Sequence, residues 1–217
     1  MKKVFAILMM MIMLCAVALP VHAENEMAAG GWNTAEETVV TEEAAEALKK
    51  ATEGLVGCAY EPVAVLGTQV VAGINYCILC KLTPVVPDAV PHYAFVYVWQ
   101  KLDGTADLLG VKDIEPDMNA EAVGGWTAAE DPTVTEEAAD ALKKATAAIL
   151  GVEFAPVAVI GTQVVAGINY CMIVRITPVA PNAEAHYGIM RVWQKLDGTA
   201  ETLSIDDVQL WMAEEAL

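Results

Sequence analysis

The chain has 217 residues, 56% of them hydrophobic and 19% charged, with a mean hydropathy of +0.43. Lys and Arg number 12 against 29 Asp and Glu, and the resulting charge of −17 repels phosphate backbones and excludes a nucleic-acid binder. Beyond the N-terminal segment no apolar run approaches the roughly 20 residues that cross a bilayer, so a polytopic membrane protein is excluded, as is general disorder.

At the N-terminus Lys2 and Lys3 precede an apolar stretch from Val4 to Leu19, then Pro20 and Val21-His22-Ala23, which presents small residues where a signal peptidase reads. Residues 1–23 are therefore expected to be a signal peptide, cleaved near Ala23. The mature chain is expected to be secreted, extracellular or periplasmic, and free of the membrane. Loss of two lysines and no acid takes its net charge from −17 to −19.

The rest of the chain repeats. Gly30-Gly31-Trp32 lies over Gly124-Gly125-Trp126, and the two copies then stay in register without a gap at an offset of 94 residues. About 50 of about 85 aligned positions are identical, over a length that suits a small domain rather than a solenoid unit. Residues 24–114 are read as a first domain, 115–121 as an acidic linker containing Pro116, and 122–217 as a second domain.

In each copy the predicted elements are one helix followed by strands. Thr41 can cap a helix that begins with Glu42 and Glu43, carries Lys49 and Lys50 later, and runs to about Gly57. Its apolar positions Val40, Ala44, Ala47, Leu48, Ala51 and Leu55 fall on one side. Strands are expected over Val63–Gln69, Ile74–Val85, Tyr93–Leu102 and Thr105–Val111. Asp103-Gly104, repeated as Asp197-Gly198, is a hairpin signal between the last two. The economical packing of such a module lays the sheet across the helix. Period-two counting directs Ile74, Tyr76, Ile78, Cys80 and Leu82 to the helix and Cys77 and Leu79 to the other face. That apolar outer face points to contact between modules or self-association between chains.

Two motifs carry the functional reading. Gln69-Val70-Val71-Ala72-Gly73 followed by Ile74-Asn75-Tyr76 recurs as Gln163-Val164-Val165-Ala166-Gly167 followed by Ile168-Asn169-Tyr170, each behind a helix and a pair of glycines. This combination resembles the central signature of cystatins, inhibitors of papain-like cysteine proteases, and the resemblance spans Gly30 to about Val111 and Gly124 to about Val208. It implies an α+β fold of two tandem cystatin-like modules, each a curved antiparallel β-sheet wrapped around one α-helix. It further implies a wedge that reversibly occludes the protease cleft beside the catalytic Cys, with no nucleophile, metal or cofactor. The wedge would comprise the glycine trunk (Gly30 and Gly31; Gly124 and Gly125), the Gln-to-Gly hairpin loop, and a second loop at Leu102-Asp103-Gly104 and Leu196-Asp197-Gly198. Met27, Ala28 and Ala29 precede the first trunk, and Ala122 and Val123 the second, as candidates for the non-primed subsites. Many secreted members carry Pro-Trp in the second loop. Here Trp99 and Trp193 stand ahead of the turn without a Pro, as intracellular members also lack that dipeptide.

Other readings stand beside this one. The same scaffold can serve as a non-inhibitory binding or adhesion module using its outer sheet. Trp32 and Trp126 can anchor the start of each module or take part in inhibition, and Trp99 and Trp193 fit packing or an exposed patch. An enzyme is not expected, because His92 and His186 belong to no nucleophile motif or metal-ligand spacing. In Cys77-Ile78-Leu79-Cys80 the thiols point to opposite faces of a strand and do not pair with each other. Cys58 and Cys80 are replaced together by Val152 and Val174, which suggests that they touch and form a disulfide in the first module.

Overall fold

The computed structural model describes residues 30–114 and 125–210. The expected signal peptide, Met27 to Ala29, the linker at 115–121, Ala122, Val123 and Gly124 fall outside the described residues. The first half contains β1 (Trp32–Thr34), α1 (Glu42–Thr52), β2 (Cys58–Val71), β3 (Gly73–Pro84), β4 (His92–Lys101) and β5 (Ala106–Ile114). The second repeats the series as β6 (Thr127–Ala128), α2 (Glu136–Thr146), β7 (Val152–Val165), β8 (Gly167–Pro178), β9 (His186–Lys195) and β10 (Ala200–Val208). Each half is a five-stranded antiparallel meander, with its strands neighbouring in chain order. Among the described residues no helix is long and apolar enough to cross a membrane.

The helices start where the caps direct them and stop early. Thr41 and Thr135 each accept a hydrogen bond from the backbone N–H three residues on, at 3.2 Å, and acidic first turns and basic last turns suit the helix dipole. The expected run to about Gly57 is shortened to Thr52, whose hydroxyl donates back to the Leu48 carbonyl at 2.8 Å. Gly54 and Gly57 follow with φ of +82° and +99°, outside helical geometry. Ala44, Ala47 and Leu48 are buried as expected, whereas Leu55 lies past the helix end and is exposed.

The strands run longer than their composition suggests. β2 begins at Cys58 rather than Val63, because Pro62 sits at a register shift in the ladder, where a missing N–H and a local bend are tolerated. The edge strands β1 and β6, of three and two residues, are too short to leave a periodic signal. The approach of β1 requires Gly67, where a Cβ would stand 2.9 Å from the Asn33 carbonyl oxygen.

The expected α+β class is corrected by this architecture. Strands take up 54% and helices 13% of the structure, so the described residues are mostly β, two five-stranded antiparallel sheets with two short helices. An eleven-residue helix is about 16 Å long while the strands reach about 40 Å, so the helix covers only part of one sheet face and the sheet does not wrap around it. The other faces cover each other. Leu66, Cys77, Leu79, Phe95 and Tyr97 from one sheet share a core with Ile160, Cys171, Ile173 and Tyr187 from the other. The layers therefore run helix, sheet, sheet, helix, with α1 and α2 each over a smaller core of its own.

The seam between the sheets is reciprocal. Tyr93 donates its hydroxyl to the Ala129 carbonyl at 2.8 Å, and Tyr187 donates to the Ala35 carbonyl at 2.8 Å. Both donors and both acceptors are related by the repeat offset, which is the pattern of an isologous, two-fold interface. The sheets are also opposed end to end. Lys112, Asp113 and Ile114 lie beside Gly125, Trp126 and Gln163, and in reverse Trp32, Asn33 and Thr34 lie beside Arg175, Thr177 and Asn182.

The cysteine expectations divide. Cys77 points into the core between the sheets and Cys80 into the core under α1, as period two requires. The Cys58–Cys80 contact is corrected: Cys58 pairs with Pro84 and Pro62 with Cys80, so the two lie four residues apart along one face, roughly 13 Å, beyond any disulfide. Tyr60 lies between them on that face, and all four described cysteines are free thiols.

Candidate functional site

One end of the first sheet gathers three segments that are remote in sequence. β2 and β3 are joined so tightly that Val71 pairs with Gly73, leaving Ala72 alone at the tip. The expected loop residues Gln69 to Gly73 thus belong mostly to the ladder. Gly73 has a φ of +119°, and a Cβ there would stand 2.0 Å from the Gln100 carbonyl oxygen. Glycine is required on both counts, for the turn and for the close approach of β4, and Gly167 repeats the situation beside Gln194.

Polar side chains fasten the neighbouring segments to this turn. Gln69 donates its amide to the Gly30 carbonyl at 3.0 Å and accepts from the Asn75 amide at 2.7 Å, while the Gly30 N–H donates to the Val70 carbonyl at 3.1 Å. The glycine trunk is thereby held against the first turn. Trp99 donates its indole N–H to the Ala72 carbonyl at 3.1 Å, and Trp193 does the same to Ala166 at 3.1 Å. The ammonium groups of Lys101 and Lys195 sit over these indoles, 5.2 and 4.9 Å from the ring centroids.

The second turn stands next to the first, since Gly73 pairs with Lys101. Asp103 accepts from the Thr105 N–H at 2.9 Å and from its hydroxyl at 2.7 Å, which closes the turn and holds the Asp103 carboxyl below its usual range. Asp197 does so with Thr199. From the helix, Lys50 reaches the Gly104 carbonyl at 2.9 Å and Lys144 the Gly198 carbonyl at 2.8 Å.

The tips of this edge are apolar and open to solvent. Val71 is 39% exposed and Leu102 85%; in the second half Val165 is 40%, Val164 75% and Leu196 85% exposed. Gly30, Gly31, Gln69, Val70, Val71, Ala72, Gly73, Leu102, Asp103 and Gly104 thus form one edge. Gly125 and Gln163 to Gly167 lie with Leu196, Asp197 and Gly198 at the matching edge of the second sheet. Gly124 is outside the described residues.

Sequence reasoning missed the residues that hold the edge. Trp99 and Trp193 fasten the first turn, Asn75 and Asn169 orient Gln69 and Gln163, and Lys50 and Lys144 clamp the second turn. The available signal was repetition: Gly67 to Cys77 and Val98 to Ala106 recur unchanged in the second copy, while Ile78 to Leu82 all differ. Trp32 packs edge-on against Tyr97 with ring centroids 6.1 Å apart and joins the core between the sheets, so it anchors the trunk from behind.

No protein-family model matches the chain, and no curated protein matches it.

Proposed function

We propose that the chain inhibits papain-like cysteine proteases by inserting this edge into the active-site cleft. The observation that carries the reading is the meeting of the glycine trunk, the Val71-Ala72-Gly73 turn and the Leu102-Asp103-Gly104 turn on one narrow edge with exposed apolar tips. The edge offers Val71 and Leu102 for apolar contact, backbone close behind them, and no group that must react. Blockade of this kind is reversible. The resemblance of Gln69 to Gly73 and Gln163 to Gly167 to the cystatin signature supports the choice of protease class, and the reading rests on that edge rather than on the fold class. Export near Ala23 is part of the same proposal, since a secreted inhibitor meets secreted or lysosomal-type targets.

For the rival, a non-inhibitory binding or adhesion module, the outer sheet faces are the less favoured surface, because Cys77 and Leu79 of one sheet share a core with Cys171 and Ile173 of the other. Titration of the mature chain from Glu24 against papain with a fluorogenic peptide substrate tests the proposal. Loss of papain activity is expected, and the Gly73→Glu, Gly167→Glu double variant is expected to fail to produce it. An unaffected protease at high micromolar chain would overturn the reading.

A further inference from the structure

We infer that one chain holds two proteases at the same time, one at each edge, without either hindering the other. This rests on the inhibitory reading of the edges and adds to it the stoichiometry and geometry of the complex. The turns of the two edges have the same residues, since Gly67 to Cys77 and Val98 to Ala106 recur as Gly161 to Cys171 and Val192 to Ala200. Their supports are the same as well: Trp99 and Trp193 each donate at 3.1 Å to the alanine at the turn, and Lys50 and Lys144 clamp the second turn at 2.9 and 2.8 Å. Neither pair of turns is a degenerate copy.

What decides the matter is how the seam orients them. The end of the first sheet remote from its turns, at Lys112 to Ile114, lies beside Gly125 and Gln163 of the second. Conversely, Trp32 to Thr34 at the first edge lie beside Arg175, Thr177 and Asn182, at the remote end of the second sheet. The reciprocal hydrogen bonds of Tyr93 and Tyr187 put a two-fold axis between them, so the edges face away from each other.

The distance agrees. Tyr93 pairs with Lys81 and reaches Ala129, whose N–H bonds Ile160, so the axis falls near Leu79 and Ile173, both fully buried. Gly73 and Gly167 then stand six residues to either side, roughly 40 Å apart at strand spacing. A protease of about 220 residues has a diameter on the order of 45 Å. Two placed side by side at 40 Å would collide, but two approaching from opposite directions meet only the inhibitor.

Rigidity follows from the same seam. Cys77, Leu79, Cys171 and Ile173 are 0% exposed in a core to which both sheets contribute, so the halves form one body. The first protease therefore leaves the second edge as it found it.

The test uses the full mature chain with single-edge variants that leave the glycines and the ladder intact: Val71→Asp with Leu102→Asp, and Val165→Asp with Leu196→Asp. Circular dichroism and a thermal melt check that both remain folded. Active-site-titrated papain is added, with inhibition read by substrate turnover and the mass of the complex by light scattering. The expected endpoints are two papain molecules per wild-type chain, one per single-edge variant and none for the combination. Affinity at each edge should change less than about threefold when the other is filled. A wild-type endpoint of one, with each single-edge variant also binding one, would mean that the edges exclude each other and would overturn the inference while keeping inhibition. Complete loss of inhibition on altering one edge would overturn it by showing a single competent edge. Absence of inhibition by every form would remove the inhibitory reading itself, and this inference with it.

Discussion

The two halves of the molecule agree at their edges and differ at the middle of their sheets. The turns and the residues that brace them are unchanged between copies, whereas Ile78-Leu79-Cys80-Lys81-Leu82 becomes Met172-Ile173-Val174-Arg175-Ile176. A buried position tolerates any side chain of suitable volume, so an apolar interior drifts among Leu, Ile, Met and Val. Under the inhibitory reading, an edge that presents a given outline to a protease has no such freedom. The seam drifts further, because pseudo-symmetric partners need to fit each other rather than match. Tyr97 meets Trp32 edge-on and donates to the Gln209 carbonyl at 3.2 Å, while its counterpart Arg191 bonds Ser204 at 3.0 Å and Asp206 at 2.6 Å.

The largest expected effect tests the edges. Gly73→Glu and Gly167→Glu place a side chain where the Gln100 or Gln194 carbonyl already stands, and should together weaken papain inhibition by roughly a hundredfold or more in the fluorogenic assay. Similar losses at each edge in the single variants would sharpen the comparison; loss confined to one would break it.

Next comes the shared core. Leu79→Ala or Ile173→Ala empties volume at the seam and should cost about 2–5 kcal/mol in urea unfolding. Because both residues line one core, the double variant should depart from additivity, and strict additivity would argue that the halves are independent.

Alkali should act on the same place. Burial pushes the Cys77 thiol up to about 12 and the Cys171 thiol up to about 11, and the hydroxyls of Tyr93 and Tyr187 up to about 12. The protonated forms are the ones the fold holds. Their stabilisation is therefore complete below pH 9, where the unfolded thiols begin to ionise, and is lost as pH rises through about 11 to 12. The urea midpoint should fall across that window, and Tyr93→Phe with Tyr187→Phe should make the fall shallower. A midpoint independent of pH from 9 to 12 would contradict the burial of these groups.

Smaller effects belong to the helices. Thr41→Ala and Thr135→Ala should each cost about 1 kcal/mol by removing equivalent caps. Smallest in stability is Lys50→Met, a few tenths of a kcal/mol at an exposed site, read instead as a faster dissociation of papain because the Gly104 turn loses its clamp.

What could be read from the residues depended on how local its cause was. The caps at Thr41 and Thr135, the turns at Asp103-Gly104 and Asp197-Gly198 and the two faces of β3 were legible, since each arises within a few neighbouring residues. The glycine at the tight turn was legible through the motif, but its contact with Gln100 was not, because it depends on a strand 27 residues away. Trp99 read as packing for the same reason: its partner is one carbonyl on another hairpin. The stacking of sheet on sheet left only an indirect trace, an apolar outer face at Cys77 and Leu79 that did not say what covers it. The supposed contact of Cys58 with Cys80 failed because paired replacement measures neither distance nor register.

The reciprocal seam also imposes an order of events on the growing chain. The first half is made one repeat of 94 residues ahead of the second, roughly 5 to 20 s at ordinary elongation rates. During that interval the Leu79 face is bare, because the side chains that cover it, Ile160, Cys171, Ile173 and Tyr187, are still to be made. The first half therefore carries an uncovered apolar sheet face until the second is complete.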